Sequence, residues 1–423
     1  MKERNSQILP YITAAIALLL SILFKSGGAM SIVIAGSFGV VLVFLKRSEY
    51  LPSIILLCSI GNTCSFLIFF SMIFVCILES KLLFADKSAK ILYLLLLGCL
   101  PLFFVLIFQR HHLDGDLWQV ALSYAQYYLS FWAFLYFYLI SSPQGFLYKP
   151  FIAVMVAIII FSFITSNYAS INRLSLYAIA LFGGLAITKL LSKTNILLWI
   201  IVFAFITPIA IRRFLTFTNV LVVLGGVLLS YLAFRNRKSL IKFLGAYPIY
   251  IFWAILILYC INHYYFMTAY TNSERVDFSS WNSFSNYLTY KIMGDRAPYW
   301  DGALIQLIEL KPILPMHDIP DIYYSTMYSE GEVEFGGHNT YLQLLRIFGF
   351  LMGGILIFSY VFMSTLATRG LLVTKNPIYI AVFSSAISYM VFFCLTGTGA
   401  MLTDSSIVGF GCMGVAYRYS RNE

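Results

Sequence analysis

The sequence predicts an all-α polytopic membrane protein of roughly 12–14 transmembrane helices with one large outer loop. Composition is the first observation behind this. Of 423 residues, 60% are apolar and 11% charged. Soluble domains run at about 45–50% apolar and about 25% charged, because their surface must be solvated. At about 20 apolar residues per span, this content fills roughly 12 spans and leaves little for a soluble domain. The second observation is that apolar runs recur along the whole chain. The third is that one long acidic segment interrupts them. Soluble enzymes, secreted disulfide scaffolds, coiled coils and disordered chains are excluded.

Taken in order, the runs fall at 8–24, 30–45, 51–78, 89–108, 120–140, 151–165, 174–191, 196–211, 218–234, 243–266, 339–366, 378–395 and 405–417. Lys2 and Arg4 before the first run give it the form of a signal sequence. Further spans follow and no convincing cleavage site is present, so a first transmembrane helix is expected. The formal net charge of +10 reports orientation rather than nucleic-acid binding, because basic residues in short loops face the cytoplasm. Arg418 with Arg421, Arg369 with Lys375, and the group Arg235, Arg237, Lys238 and Lys242 fall on one side, assigned to the cytoplasm. Lys81, Lys87 and Lys90 agree with it. Lys2, Arg4, Lys46 and Arg47 also call for the cytoplasm, which an odd number of spans cannot satisfy. The 28-residue run from Leu51 to Leu78 is the source of this conflict: it is either a span with an interfacial or re-entrant piece, or two short spans around Gly61 and Asn62. Both chain ends are expected in the cytoplasm.

All seven cysteines lie inside apolar runs without close-spaced pairs, so no disulfide or zinc site is implied. The chain divides into a transmembrane bundle over 1–266, an outer loop over 267–337, and C-terminal transmembrane helices over 338–423. The 71-residue loop holds ten acidic and four basic residues, a net charge of −6 against +16 for the remainder. It is too long for a connector. Its aromatic residues, among them Trp281, Tyr299 and Trp300, either offer stacking faces to sugar rings or pack as a plug on the helices. The stretch Ala297–Leu310 has an amphipathic helical pattern ended by Pro312 and Pro315, and predicts a small helical cap.

Candidate chemistry rests on cations placed outside. Arg212 and Arg213 follow an apolar run at the outer boundary, against the orientation rule. Desolvated guanidinium calls for an anion, and a lipid diphosphate suits the planar fork. Phospholipid headgroups are the competing partner. Arg173 and Arg296 are candidates to converge on the same anion. His338 ends the loop immediately before an apolar helix, where a neutral imidazole is suited to act as a general base. Helix capping is the competing role. Arg346 lies two turns deeper, and an intramembrane arginine is a functional candidate by default. Gly349, about three turns below His338, and Gly353 form a small-residue pair that admits a close helix neighbour. His111, His112, Asp114 and Asp116 (HHLDGD) lack the further ligands that would complete a metal site. No nucleotide fingerprint, phosphate loop or serine elbow is present.

These residues resemble a family. GHNTYLQLLRIFGFLMGGILIF from Gly337 is similar to the His-Asn…Gly signature of the O-antigen polymerase and ligase superfamily. GDRAPYWDGALIQLIELKPIL from Gly294 resembles its preceding element, an Arg with a Trp four residues on, an amphipathic helix and a Pro. IRRFLTFTNVLVVLGG from Ile211 and SNYASINRLSLYAIALFGG from Ser166 resemble its earlier arginine-led and Asn-containing spans, in the same order. Two departures stand: in the run from Gly337 Ile347 occupies a position often acidic in the family and the second glycine is shifted to Gly353, and Ile211 precedes the arginine pair where the family usually has Ser or Thr. Which of Arg212 and Arg213 matches the family's arginine stays open.

The resemblance implies a GT-C-like glycosyltransferase in the bacterial inner membrane. It would be an inverting enzyme without metal or other cofactor, using an undecaprenyl-diphosphate-linked glycan donor and acceptor among the membrane lipids. No nucleic acid is involved, and a polysaccharide chain-length regulator protein is an implied partner. His338 would be catalytic; Arg212, Arg213 and Arg296 would hold the diphosphate; Arg173, Asn339, Arg346 and Trp300 would support the substrate. The implied activity is O-antigen polymerisation in lipopolysaccharide biosynthesis. The sister ligase, which transfers polymer to lipid A-core, and a lipid-linked oligosaccharide flippase are the alternatives.

Overall fold

In the computed structural model, residues 2–24, 30, 32–110, 125–141, 148–164, 169–191, 217–246, 254, 297–315, 322–325, 330–333, 339–396 and 403–422 are described. The N-terminal part holds α1 (Lys2–Leu23), α2 (Ser37–Phe44), α3 (Leu51–Cys58), α4 (Asn62–Leu78), α5 (Ser80–Phe84) and α6 (Lys87–Arg110). The middle holds α7 (Phe131–Ile140), α8 (Tyr148–Ile164), α9 (Ala169–Leu191), α10 (Phe217–Phe234) and α11 (Lys238–Ala246). From the acidic loop come α12 (Ala297–Leu310), β1 (Ile322–Ser325) and β2 (Glu330–Val333), followed by α13 (Thr340–Val373), α14 (Pro377–Thr396) and α15 (Thr403–Asn422). Three helical segments among the described residues are long and apolar enough to cross a membrane: Lys87–Leu106, Leu174–Leu191 and Thr340–Val373. With the shorter apolar helices around them, they make this a helical membrane protein. The expected spans over 196–211 and most of 243–266 lie outside the described residues.

The core is organised around α7, whose sequence FWAFLYFYLI is apolar on every face and is buried from Phe131 to Tyr138. A helix apolar all round belongs at the centre of a bundle. The tyrosines at such positions need acceptors. Tyr136 donates to the Val43 carbonyl on α2 at 2.7 Å and Tyr128 to the Leu96 carbonyl on α6 at 2.7 Å, while Tyr177 on α9 donates to the Val382 carbonyl on α14 at 3.2 Å and ties an early helix to a late one. Six cysteines are buried and carry no disulfide; Cys260 is outside the described residues.

One end of the bundle collects charge. Lys46 pairs with Glu79. Asp86 accepts from the Ser88 and Ala89 amides at 2.8 and 3.2 Å, and so caps the start of α6. The same carboxylate accepts from the Tyr417 hydroxyl at 2.9 Å and the Tyr138 hydroxyl at 3.1 Å, and pairs with Arg421 at 2.7 Å. Burial pushes this carboxyl up, but the bonds from Ala89, Tyr417 and Ser88 and the Arg421 charge outweigh it, holding its pKa below the ordinary 3.8. Arg418 lies over the Tyr138 ring and donates to the Ser141 carbonyl at 3.3 Å.

The 51–78 run is resolved here. It breaks at Ser59–Gly61 into α3 and α4, and the Lys46–Glu79 pair brings its two flanks together. The segment therefore comes back to the end of the bundle from which it left.

α13 is not continuous. Gly349 has φ 71° and ψ 175°, a backbone region open almost only to glycine, and it splits the element into an upper part before Gly349 and a lower part after it. The loop is not purely helical either: β1 and β2 pair antiparallel, with Ile322 opposite Val333 and Ser325 opposite Glu330.

Candidate functional site

The upper part of α13 starts at Asn339, whose extended backbone and side-chain oxygen cap the helix by accepting from the Tyr341 and Leu342 amides at 2.9 and 3.1 Å. The residue is buried. This is a structural use for a position expected to support substrate. His338, one residue before the cap, lies outside the described residues, as do Arg212, Arg213 and Arg296. Arg173 falls within α9, and nothing more of its side chain is described.

Arg346 lies within the described residues. Only 2% exposed, it projects from the second turn of α13, where its Nε donates to Gln306 Oε1 at 2.8 Å and a terminal nitrogen donates to Gln343 Oε1 at 3.1 Å. Gln343 lies three residues earlier on the same helix, the spacing at which helical side chains meet. Gln306 lies on α12. The buried guanidinium thus joins two elements through carbonyl acceptors set in a fixed fork geometry.

α12 forms where the sequence expects it. Pro298 enters in its first turn, and Trp300, Ala303 and Leu307 repeat on one buried face, against α13 and β1. Trp300 is 4% exposed. The helix ends at Lys311, whose φ of 44° turns the chain, and Pro312 prevents its resumption.

The following residues enter the break in α13. The Phe350 amide donates to the Pro312 carbonyl at 2.7 Å and the Leu351 amide to the Ile313 carbonyl at 3.0 Å. These amides open the lower part of α13 and would otherwise lack acceptors, because the turn before them is broken. A Cβ on Gly349 would lie 2.6 Å from the Leu314 carbonyl carbon and oxygen. A Cβ on Gly353 would lie 2.6 Å from the Leu344 carbonyl oxygen. The close neighbours of the two glycines are therefore the loop segment and the helix's own upper part, where the sequence pattern suggested another helix.

Ile308, Ile313, Leu314, Phe350 and Leu351 are exposed on the outside of this junction. In a membrane protein such a surface meets lipid chains. Non-helical backbone at membrane depth survives where its polar groups are satisfied by protein, as Pro312 and Ile313 satisfy Phe350 and Leu351. Among the described residues no cluster of His, Cys, Asp and Glu could hold a metal ion.

The sequence singled out Arg346, Asn339 and Trp300. It missed Gln306 and Gln343, whose amides carry no pattern until the fold places them beside Arg346. Comparison with known protein families, characterised proteins and solved structures finds no match for this chain.

Proposed function

We propose that this protein is a membrane glycosyltransferase of the O-antigen polymerase type, joining undecaprenyl-diphosphate-linked repeat units at the periplasmic face of the bacterial inner membrane. The observation that carries the reading is the α12–α13 junction. Gln306 meets Arg346, and six residues further on Pro312 meets Phe350, so the two helices advance in the same direction and begin at the same end. In sequence, Arg296 immediately precedes α12 and His338 lies two residues before α13. In sequence, the proposed phosphate-binding cation and the proposed base therefore adjoin the first residues of two helices that Arg346 links.

Orientation supports the same reading. With 51–78 returning to its own side, twelve runs remain as spans. The basic clusters from Lys2 to Arg421 then fall on the cytoplasmic side, and the acidic loop falls outside. The proposed chemistry is an inverting displacement. His338 accepts the proton of the acceptor hydroxyl, whose oxygen forms a bond to the donor's anomeric carbon as the bond to the diphosphate breaks. Such base assistance contributes about 10²–10⁴-fold. Arg296, with Arg212 or Arg213, stabilises the charge on the leaving diphosphate. Arg173 and the chain-length regulator belong to the same proposal.

The test is transfer by purified protein in nanodiscs. A ladder growing on the carrier lipid supports the polymerase; transfer only to core oligosaccharide makes it the ligase; translocation without any new linkage makes it a flippase. His338→Ala is expected to fold, bind lipid diphosphate and form no product. Normal product from that variant eliminates the base.

A further inference from the structure

We propose that Arg346 is a positioning residue: its guanidinium, gripped by Gln306 and Gln343, sets how far the leading end of α12 stands from the leading end of α13. The inference rests on the functional reading above, because those two ends carry Arg296 and His338 in sequence.

The geometry of the clamp shows why it can hold this spacing. Ala297 is nine residues before Gln306, and Thr340 is six before Arg346. At 1.5 Å per residue, the helix starts lie roughly 13–14 Å and roughly 9 Å above the clamp, a difference of roughly 4–5 Å. Both starts thus lie within about three turns of the clamp. One fastening would leave α12 free to pivot. The second fastening, Pro312 and Ile313 on the Phe350 and Leu351 amides, lies on the far side of the clamp from the helix starts. This contact lies beyond the Lys311 turn and the Gly349 break, so the two fastenings tie α12 and the residues that follow it to both parts of α13.

The chemistry of the side chains also fits a joint. A guanidinium offers five N–H donors in a rigid plane, so two carbonyl acceptors on different elements can be held at a fixed angle. Lysine would keep the charge and lose that angle. Methionine would keep much of the volume and lose both, leaving the Gln306 and Gln343 amide oxygens without this donor.

The test uses full-length protein in lipid nanodiscs and two readouts. In Arg346→Met, amide exchange in α12 and at Phe350 and Leu351 is expected to rise roughly tenfold or more, as loss of hydrogen bonds to a charged group predicts. Exchange in α14 and α15 stays unchanged. The same variant is expected to lose roughly 10²-fold in kcat, the scale of an ångström-sized misplacement, while the donor KM stays within about twofold. Gln306→Glu combined with Arg346→Lys restores a charged contact across the joint and should recover part of both losses. Gln306→Met repeats the experiment should Arg346→Met not fold.

Unchanged exchange in the Met variants would overturn the joint. A loosened junction with unchanged kcat would overturn the positioning role, and a raised donor KM with unchanged kcat would make Arg346 a donor contact instead. If the unsubstituted protein transfers no glycan from undecaprenyl diphosphate, the functional reading fails by itself, and the exchange measurement still decides the joint.

Discussion

Replacing Gly349 by alanine tests the junction at its tightest point. The backbone there has φ 71° and ψ 175°, and forcing a residue with a Cβ into such a region costs about 1–3 kcal/mol. The added carbon would also lie 2.6 Å from the Leu314 carbonyl and 2.8 Å from the Ile313 oxygen, which is backbone and cannot rotate aside. Relief requires the loop to withdraw, and that breaks the bonds from Phe350 and Leu351, each worth about 0.5–1.5 kcal/mol. Together these give a loss of about 2–6 kcal/mol, a large part of the about 5–15 kcal/mol that holds a typical domain folded. Equilibrium unfolding in bicelles, followed by tryptophan fluorescence, measures it. Gly354→Ala is the control: nothing lies within 4 Å of its Cβ position, and helix propensity predicts a gain of about 0.5–1 kcal/mol. If Gly349→Ala and Gly354→Ala differ by less than about 0.5 kcal/mol, the inserted loop is not what the glycine serves.

Other outcomes follow from the same reasoning. Asp86→Ala strips a cap and two tyrosine hydroxyls of their acceptor and should cost about 3 kcal/mol in the same unfolding assay. Because the folded carboxyl sits below its ordinary 3.8, its contribution is complete above that value and fades as pH falls through the native one; Asp86→Asn should abolish that acid-side component. Gly370→Ala would bring a Cβ within 1.9 Å of the Ala416 carbonyl oxygen, so separation of α13 and α15 should cost about 1–3 kcal/mol, whereas Gly98→Ala, in open space, should not destabilise. Asn339→Ala should cost about 1 kcal/mol, read by unfolding, and Asn339→Asp should recover most of it.

Several of these elements were legible before any coordinates. The α12 boundaries follow from an amphipathic period and two prolines, both local signals, and the structure places the helix at Ala297–Leu310 as expected. Arg346 could be singled out because charge in an apolar run is costly whatever surrounds it. The break within 51–78 was visible as excess length and a Gly-Asn pair, but only the contact between Lys46 and Glu79 shows that the chain turns back. The break at Gly349 had no such sign. Its flanks, LLRIF and FLMGG, read as continuous helix, and the cause lies 35 residues away in carbonyls that have no side-chain signature. Gln306 and Gln343 were invisible for the same reason: an amide becomes informative through its partner.

The charged cluster at Asp86 bears on how the molecule is made. Asp86 and Tyr417 are separated by 331 positions, so a carboxylate synthesised early must wait for a helix synthesised late. Until α15 arrives, Asp86 has the Ser88 and Ala89 amides and the Tyr138 hydroxyl but lacks Tyr417 and Arg421. Assembly of this bundle is therefore completed by its last described helix, which acts as a bolt: a nascent chain lacking it should be held back or degraded, however many of its other segments have already been inserted.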